Sequence, residues 1–490
     1  MNNGRSSCLP KRAVIGVMVS LGLMVQYFLK VAMSVTIVAM VKSNASCAEE
    51  SREGNASSSS SCSRGEFEWS GSMQGFVLSA FYYGYIATQV LGGWLSDRFG
   101  PKYVMGCGVA AGGACMMLAP IAARLSVYAL AAVRILTGVF AGMYYPPLQD
   151  IFSKWFPPEE HQKCSSMIFA SMYVSKVLSM GLSGYLSSYG WELVFYVYGS
   201  CTLLWFIPWL FLVHNSPKVH PSITDEERDY ITKHSGPWDD GDEKEAARKR
   251  MPVPWLAILT STAVWASILM QTGCNYVSYT MMSELPTYLS NVLHYDVKKS
   301  GWVSSLPYVF GGISCLASGN ISQWLQEKGY ISRLTAYRIF NGICALGSAA
   351  CLVLVANVRG ELAAVGLMAC LMLLYNAWGG GSTTNFLDLA MNHVGVCSGI
   401  QLTLANSMGV VTAQVAGVLT DGQQTAEQWA KVFYIAAGVV APPYVFFLVF
   451  GSTDEQPWNR PSAPPAPPGE PGQDVSARSK KLSAEQFRDL

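Results

Sequence analysis

Apolar residues along this chain gather into long runs separated by short polar segments. A helix needs about 20 mainly apolar residues to cross the hydrocarbon core of a bilayer. Twelve runs reach that length, at roughly 13–41, 72–95, 103–123, 126–153, 164–188, 192–213, 254–282, 300–325, 335–356, 361–387, 394–420 and 429–450. They predict an all-α polytopic membrane protein. Many of the runs are rich in Gly, Ala and Ser, which lets helices approach closely in lipid. The polar segments set the organisation: a terminus at 1–12, six spans over 13–213, a charged linker at 214–253, six more spans over 254–452, and a Pro-rich tail at 453–490. The tail, with "NRPSAPPAPPGEPGQ", reads as disordered. Two sets of six spans around a charged linker match a transporter built from two halves with a site between them.

Composition agrees with a membrane setting. Of 490 residues 51% are hydrophobic and 13% charged, against about 25% charged in soluble domains. A net charge of +1 argues against a nucleic-acid partner. The 13 cysteines are scattered, without a CxxC or a metal-ligand spacing, so no metal and no cofactor is expected. The first apolar run is long enough to remain as a span. Lys and Arg concentrate on the side of the termini, which places both termini in the cytosol by the positive-inside rule. The serine-rich loop 42–71 then lies outside, with glycosylation sequons at Asn44 and Asn55. Its Cys47 and Cys62 are either paired or free. The third sequon, at Asn320, falls at a cytosolic helix end and is expected to stay unmodified.

Charges inside the runs are the candidate chemistry. "MVQYFLKVAMSVTIVAM", residues 24–40, holds Lys30 at its centre, and a charge at mid-membrane costs about 2.5–3.5 kcal/mol on insertion scales. Such a lysine either lines a polar cavity or snorkels to an interface. Arg134 and Lys176 raise the same question in the fourth and fifth runs. Histidines 161, 214, 220, 234, 294 and 393 all fall in or near loops without an evident catalytic partner, so an enzyme is not expected.

Between the second and third runs stands "GGWLSDRFGPK", in which Gly93, Leu95, Asp97, Arg98, Gly100 and Lys102 fill G-x-L-x-D-R-x-G-x-K. This resembles the signature turn of the major facilitator superfamily, and the resemblance implies twelve transmembrane helices in two six-helix pseudo-repeats and a gating role for the turn. "SGNISQWLQEKGYISR" is similar to a degenerate second copy, with Gly319 kept and Gln323 at the aspartate place. Further strings resemble one branch, the anion–cation symporters of the sialin, vesicular glutamate and type I sodium-phosphate kind: "QGFVLSAFYYGYIATQVLGGWLSDRFG", "YPPLQDIFSKWFPPEEHQK", "HPSITDEERDYI", "SELPTYLSNVLHYDVKKSGWVSSLPY" and "NFLDLA".

That branch resemblance implies a secondary active transporter of a small organic or inorganic anion, working by alternating access and expected to act as a monomer in a plasma, lysosomal or vesicular membrane. Lys30 stands where the family commonly has an arginine, in a Tyr-x-x-Arg pattern that here pairs it with Tyr27. Arg134 matches a second family arginine. Both are thereby implied as anion contacts. Lys176 replaces a usually small neutral residue; it either adds a third cation to the cavity or pairs with a carboxylate such as Asp388. Tyr83 and Tyr279 are the preferred aromatic cavity residues. Glu284 and Asp388 are candidates for cation coupling or for structural gate roles. The family's titratable places in span four are occupied by Thr137, Ala141 and Gln149, and a vesicular-branch arginine in span seven by Cys274. Co-transport of sodium or of protons stays open. The alternatives are a non-transporting sensor on the same fold and an uncoupled anion uniporter.

Overall fold

A computed structural model describes residues 10–41, 65–156, 158–217, 220–234, 253–358, 360–390 and 393–459. The sequons at Asn44 and Asn55, Cys47 and Cys62, most of the linker after His234 and the tail from residue 460 lie outside the described residues.

Twelve membrane-length segments follow one another. The first six are Lys11–Met40, Gly71–Phe99, Pro101–Leu125, a pair Val127–Gly142 and Tyr145–Trp155, Pro158–Ser187, and Trp191–Leu212. A linker helix, Asp225–His234, leads to the second set. Span seven is Trp255–Thr260 with Thr262–Asn291, followed by Val297–Glu327 and Arg333–Asn357. Span ten begins as Glu361–Tyr375, and Val394–Leu419 and Ala426–Phe450 complete the set. Several starts carry the side-chain caps their sequences call for: Ser126 accepts from the Ala129 amide, Asp296 from Lys299 and Ser332 from Thr335.

Two spans expected to be continuous are broken. Span four stops at "MYYPP", where Pro146 and Pro147 lack the amides a continuing helix needs. Span ten changes after Tyr375 to a 3-10 segment, Asn376–Gly380, and resumes as the short helix Asn385–Leu389. The glycine run 379–381 weakens the regular helix there.

Eight described helices are long and apolar enough to cross a membrane. Spans two, five, seven and eight are equally long but more polar. In the packing, span two lies against eleven, five against eight, and seven against one, so these helices meet the opposite half. Glycine allows the contact. A methyl on Gly75 would fall 2.4 Å from the Ala413 carbonyl oxygen, and one on Gly184 would fall 2.8 Å from the Val297 oxygen. Both seams lie at the end of the bundle away from the termini. The Gly71 amide adds a 3.1 Å hydrogen bond to Asp421 across the first of them.

At the terminal end the linker helix is tied to span one. The two oxygens of Glu227 accept the amides of Lys11 and Arg12, each at 3.0 Å. These are orphan donors at a helix N-terminus, where the helix dipole favours a carboxylate. The Arg12 guanidinium also lies 4.6 Å from the Tyr230 ring.

Candidate functional site

The turn after span two builds the first functional feature. Gly100 has φ +86, a conformation that favours glycine, and a Cβ there would also strike the Asn215 amide. The Asn215 oxygen accepts from the Lys102 amide at 3.0 Å, and the Trp209 indole donates to the Lys102 carbonyl at 2.9 Å. Gly93 faces Pro146 at the break in span four, and Ser96 donates to Asp150 at 3.2 Å. The turn therefore ties spans two, three, four and six together. Arg98 is exposed, its guanidinium 5.6 Å from the Trp94 ring. Asp97 lies in this helix, but its side chain is outside the described ones.

Deep in the bundle Lys30 is only 7% exposed, so it does not snorkel. Its ammonium donates to the Tyr279 hydroxyl at 3.1 Å, and that hydroxyl donates to Asn406. Four tyrosine rings surround it, with centroids 4.7 Å away for Tyr279, 4.8 Å for Tyr85, 5.4 Å for Tyr82 and 5.7 Å for Tyr27. Ring faces attract a cation, by about 2 kcal/mol or more when the pair is desolvated. The Lys30–Tyr279–Asn406 chain joins span one to spans seven and eleven and so crosses between the halves.

Lys176, 6% exposed, approaches the same Tyr27 ring. Its ammonium is 5.5 Å from the Tyr27 centroid, 5.2 Å from Tyr173 and 5.3 Å from Tyr308. The Tyr173 hydroxyl donates to Asn376, in the 3-10 break of span ten. The glycines after Asn376 thus mark a place where span ten turns a side-chain amide toward span five. Among the described residues, no carboxylate lies within ion-pair range of Lys30, Lys176 or Arg134.

Other candidates are sorted differently from expectation. Arg134 donates to the Leu29 carbonyl at 3.1 Å and lies 5.1 Å from the Phe81 ring, so it braces the backbone next to Lys30. Tyr83 is 44% exposed and belongs to a stripe with Leu91 and Trp94. Tyr82 and Tyr85 take the cage positions instead, because one residue along a helix turns a side chain by about 100°. Asp388 is no partner of Lys176: it accepts from Arg333 at 2.9 Å and from the Tyr337 hydroxyl at 3.0 Å, near the terminal end. Glu284 is buried in span seven, and its Oε1 has no hydrogen-bond partner among the described residues. Thr137 returns its hydroxyl to the Val133 carbonyl of its own helix, and Ala141 is buried. The Cys274 sulfur sits 3.6 Å from that of Cys344.

Outside the membrane segments, His214 and His220 pack ring to ring at 4.5 Å, with Trp155 against His220. Burial, then the Lys102 charge, pushes His214 below its usual pKa; burial, then His214 and Lys11, does the same to His220.

Two sets of six helices enclosing a buried, tyrosine-lined cluster of cations define a polytopic membrane transporter for a small molecule. The chain belongs to the major facilitator superfamily, whose sequence pattern matches residues 15–413. Similar proteins include sialin of Homo sapiens, 31% identical over 461 residues, covering 92% of this chain and 91% of that one. Vesicular glutamate transporter 1 of Bos taurus is 32% identical, over 92% of this chain and 79% of that one. Among solved structures, a bacterial homologue of the human lysosomal transporter Spinster, inward-facing and occupied, aligns with a TM-score of 0.66 at 12% identity, over 90% of this chain and 97% of that one. The D-xylose-proton symporter aligns at 0.63 with 13% identity, over 90% and 98%. At these identities the structures establish the shared fold alone.

Proposed function

We propose that the protein is a secondary active transporter of small anions, with Lys30 as the principal contact for the anionic group. The observation that carries this reading is a buried ammonium that is held by ring faces and one hydroxyl and has no carboxylate in ion-pair range among the described residues. An anion entering the cluster gains the full attraction of a poorly solvated cation. Similarity to sialin and to a vesicular glutamate transporter supports the same class of substrate.

Alternating access follows from the halves. With the termini in the cytosol, as the Lys and Arg distribution indicates, the glycine seams of Gly75 and Gly184 close the non-cytosolic side, and the state described is inward-facing. Rocking of the halves has to break the Lys30–Tyr279 bond and open those seams. Glu284, whose Oε1 lacks a partner among the described residues, is the preferred coupling group, since a buried carboxylate gains by taking up a proton or a sodium ion. Asp388, already paired with Arg333, is assigned to the gate at the terminal end.

The test is uptake of a panel of labelled anions into proteoliposomes, under a sodium gradient and separately under a proton gradient. Gradient-driven anion uptake that Lys30→Gln abolishes and Glu284→Gln uncouples is the expected result. Undiminished uptake by Lys30→Gln refutes its role, and intact gradient coupling in Glu284→Gln refutes the coupling assignment. Saturable anion binding without flux would instead indicate a sensor.

A further inference from the structure

We propose that this site takes a dianion, with one anionic group at Lys30 and the other at Lys176. The inference rests on the anion-transport reading and names the charge class of the substrate.

Lys176 carries the argument. A single anionic group needs only one of the two ammonium groups, yet both are buried and both lack a carboxylate among the described residues. Both approach one ring, with the Tyr27 centroid 5.7 Å from the Lys30 nitrogen and 5.5 Å from the Lys176 nitrogen. Two like charges this close repel in a low-dielectric interior, and a ligand with a negative charge at each end relieves both. A second, independent observation marks the Lys176 end. The Tyr308 hydroxyl is buried without a hydrogen-bond partner among the described residues, on a ring 5.3 Å from the Lys176 ammonium. A neutral buried donor left unpaired is costly, and an anionic oxygen bound at Lys176 gives it an acceptor.

The arrangement also explains how charge number is read. Lys30 faces Tyr279 of span seven and Lys176 faces Tyr308 of span eight, so each pole pairs a cation of the first half with a tyrosine of the second. A dianion engages both poles. A monoanion engages one and leaves the other ammonium unrelieved.

Succinate against succinamate, and glutarate against glutaramate, vary charge at nearly constant shape. In proteoliposomes the wild type is expected to take up each dianion roughly tenfold or more faster than its monoamide, the discrimination typical of one well-placed charge contact. Lys176→Gln is expected to shrink that preference, slowing the dianions by a larger factor than the monoamides. Lys176→Arg keeps the charge and is expected to keep the preference, and Tyr308→Phe is expected to lower the ratio of dianion to monoamide uptake. Equal wild-type uptake of a dianion and its monoamide overturns the proposal and leaves the anion reading standing. So does a Lys176→Gln variant that slows both by the same factor. The wild-type ratio decides even if the variants do not fold. Failure of all four probes to be carried, or to protect the protein thermally, counts against the dianion, while uptake of some other anion would keep the transport reading.

Discussion

Gly75→Ala isolates the closing of the halves. The new methyl would sit 2.4 Å from the Ala413 carbonyl oxygen, where 3.4 Å is the start of ordinary contact. The seam must therefore spread by about 1 Å, and overpacking of this kind costs about 1–3 kcal/mol. The cost falls only on the state in which spans two and eleven touch. A differential of that size shifts a two-state equilibrium by about 5–150-fold toward the state with the seam open. Hydrogen–deuterium exchange reads the shift directly, as faster exchange in peptides covering 65–80 and 410–425. Gly84→Ala is the control. Its methyl would fall 2.1 Å from the Ile135 oxygen, inside the first half, so it penalises every state and should lower thermal stability and yield. If Gly75→Ala leaves exchange in both peptides unchanged, or only lowers yield as Gly84→Ala does, this seam is not the moving contact.

Lys30→Gln and Arg134→Ala should fail differently. The first is expected to lose uptake with its melting temperature held or raised, because it removes a buried charge that has no carboxylate partner among the described residues. The second should lose stability as well, because it frees the Leu29 carbonyl and empties a buried volume; equal melting temperatures for the two variants would refute the bracing role. Glu227→Ala removes the two-amide cap on span one and should cost about 1 kcal/mol, read as a lower melting temperature and faster exchange at residues 10–14. The depressed pKa of His214 and His220 means that their neutral forms favour the docked linker. That contribution is complete above the ordinary imidazole pKa of about 6.5 and is lost as pH falls through the lower folded values. His220→Gln should flatten the melting temperature measured from pH 7.5 down to about 5.5, and an unchanged slope would exclude the pair as its origin.

The hydrophobic runs made the twelve segments legible, since lipid imposes a length and a composition that few other solvents do. Lys30 was legible for the same reason: a charge there has to be held by something. The breaks in spans four and ten were written in Pro146, Pro147 and the 379–381 glycines, yet hydrophobicity alone runs through them. What the chain could not announce was phase and partnership. Choosing Tyr83 over Tyr82 is an error of one residue, and it moves the ring from the cage to an exposed stripe. The pairings of Lys176 with Tyr308 and of Asp388 with Arg333 join residues far apart in sequence, and nothing local encodes them.

Lys30 and Lys176 both ride on the first half, and this has an electrical consequence. With both ammonium groups protonated, the site would cross the membrane field neutral when filled by a dianion and doubly charged when empty. Voltage would then act on the empty return, by up to about 2.3 kcal/mol per charge for each 100 mV. A negative cytosol would hold the empty site on the cytosolic side, so membrane potential would limit turnover while leaving the loaded step almost untouched.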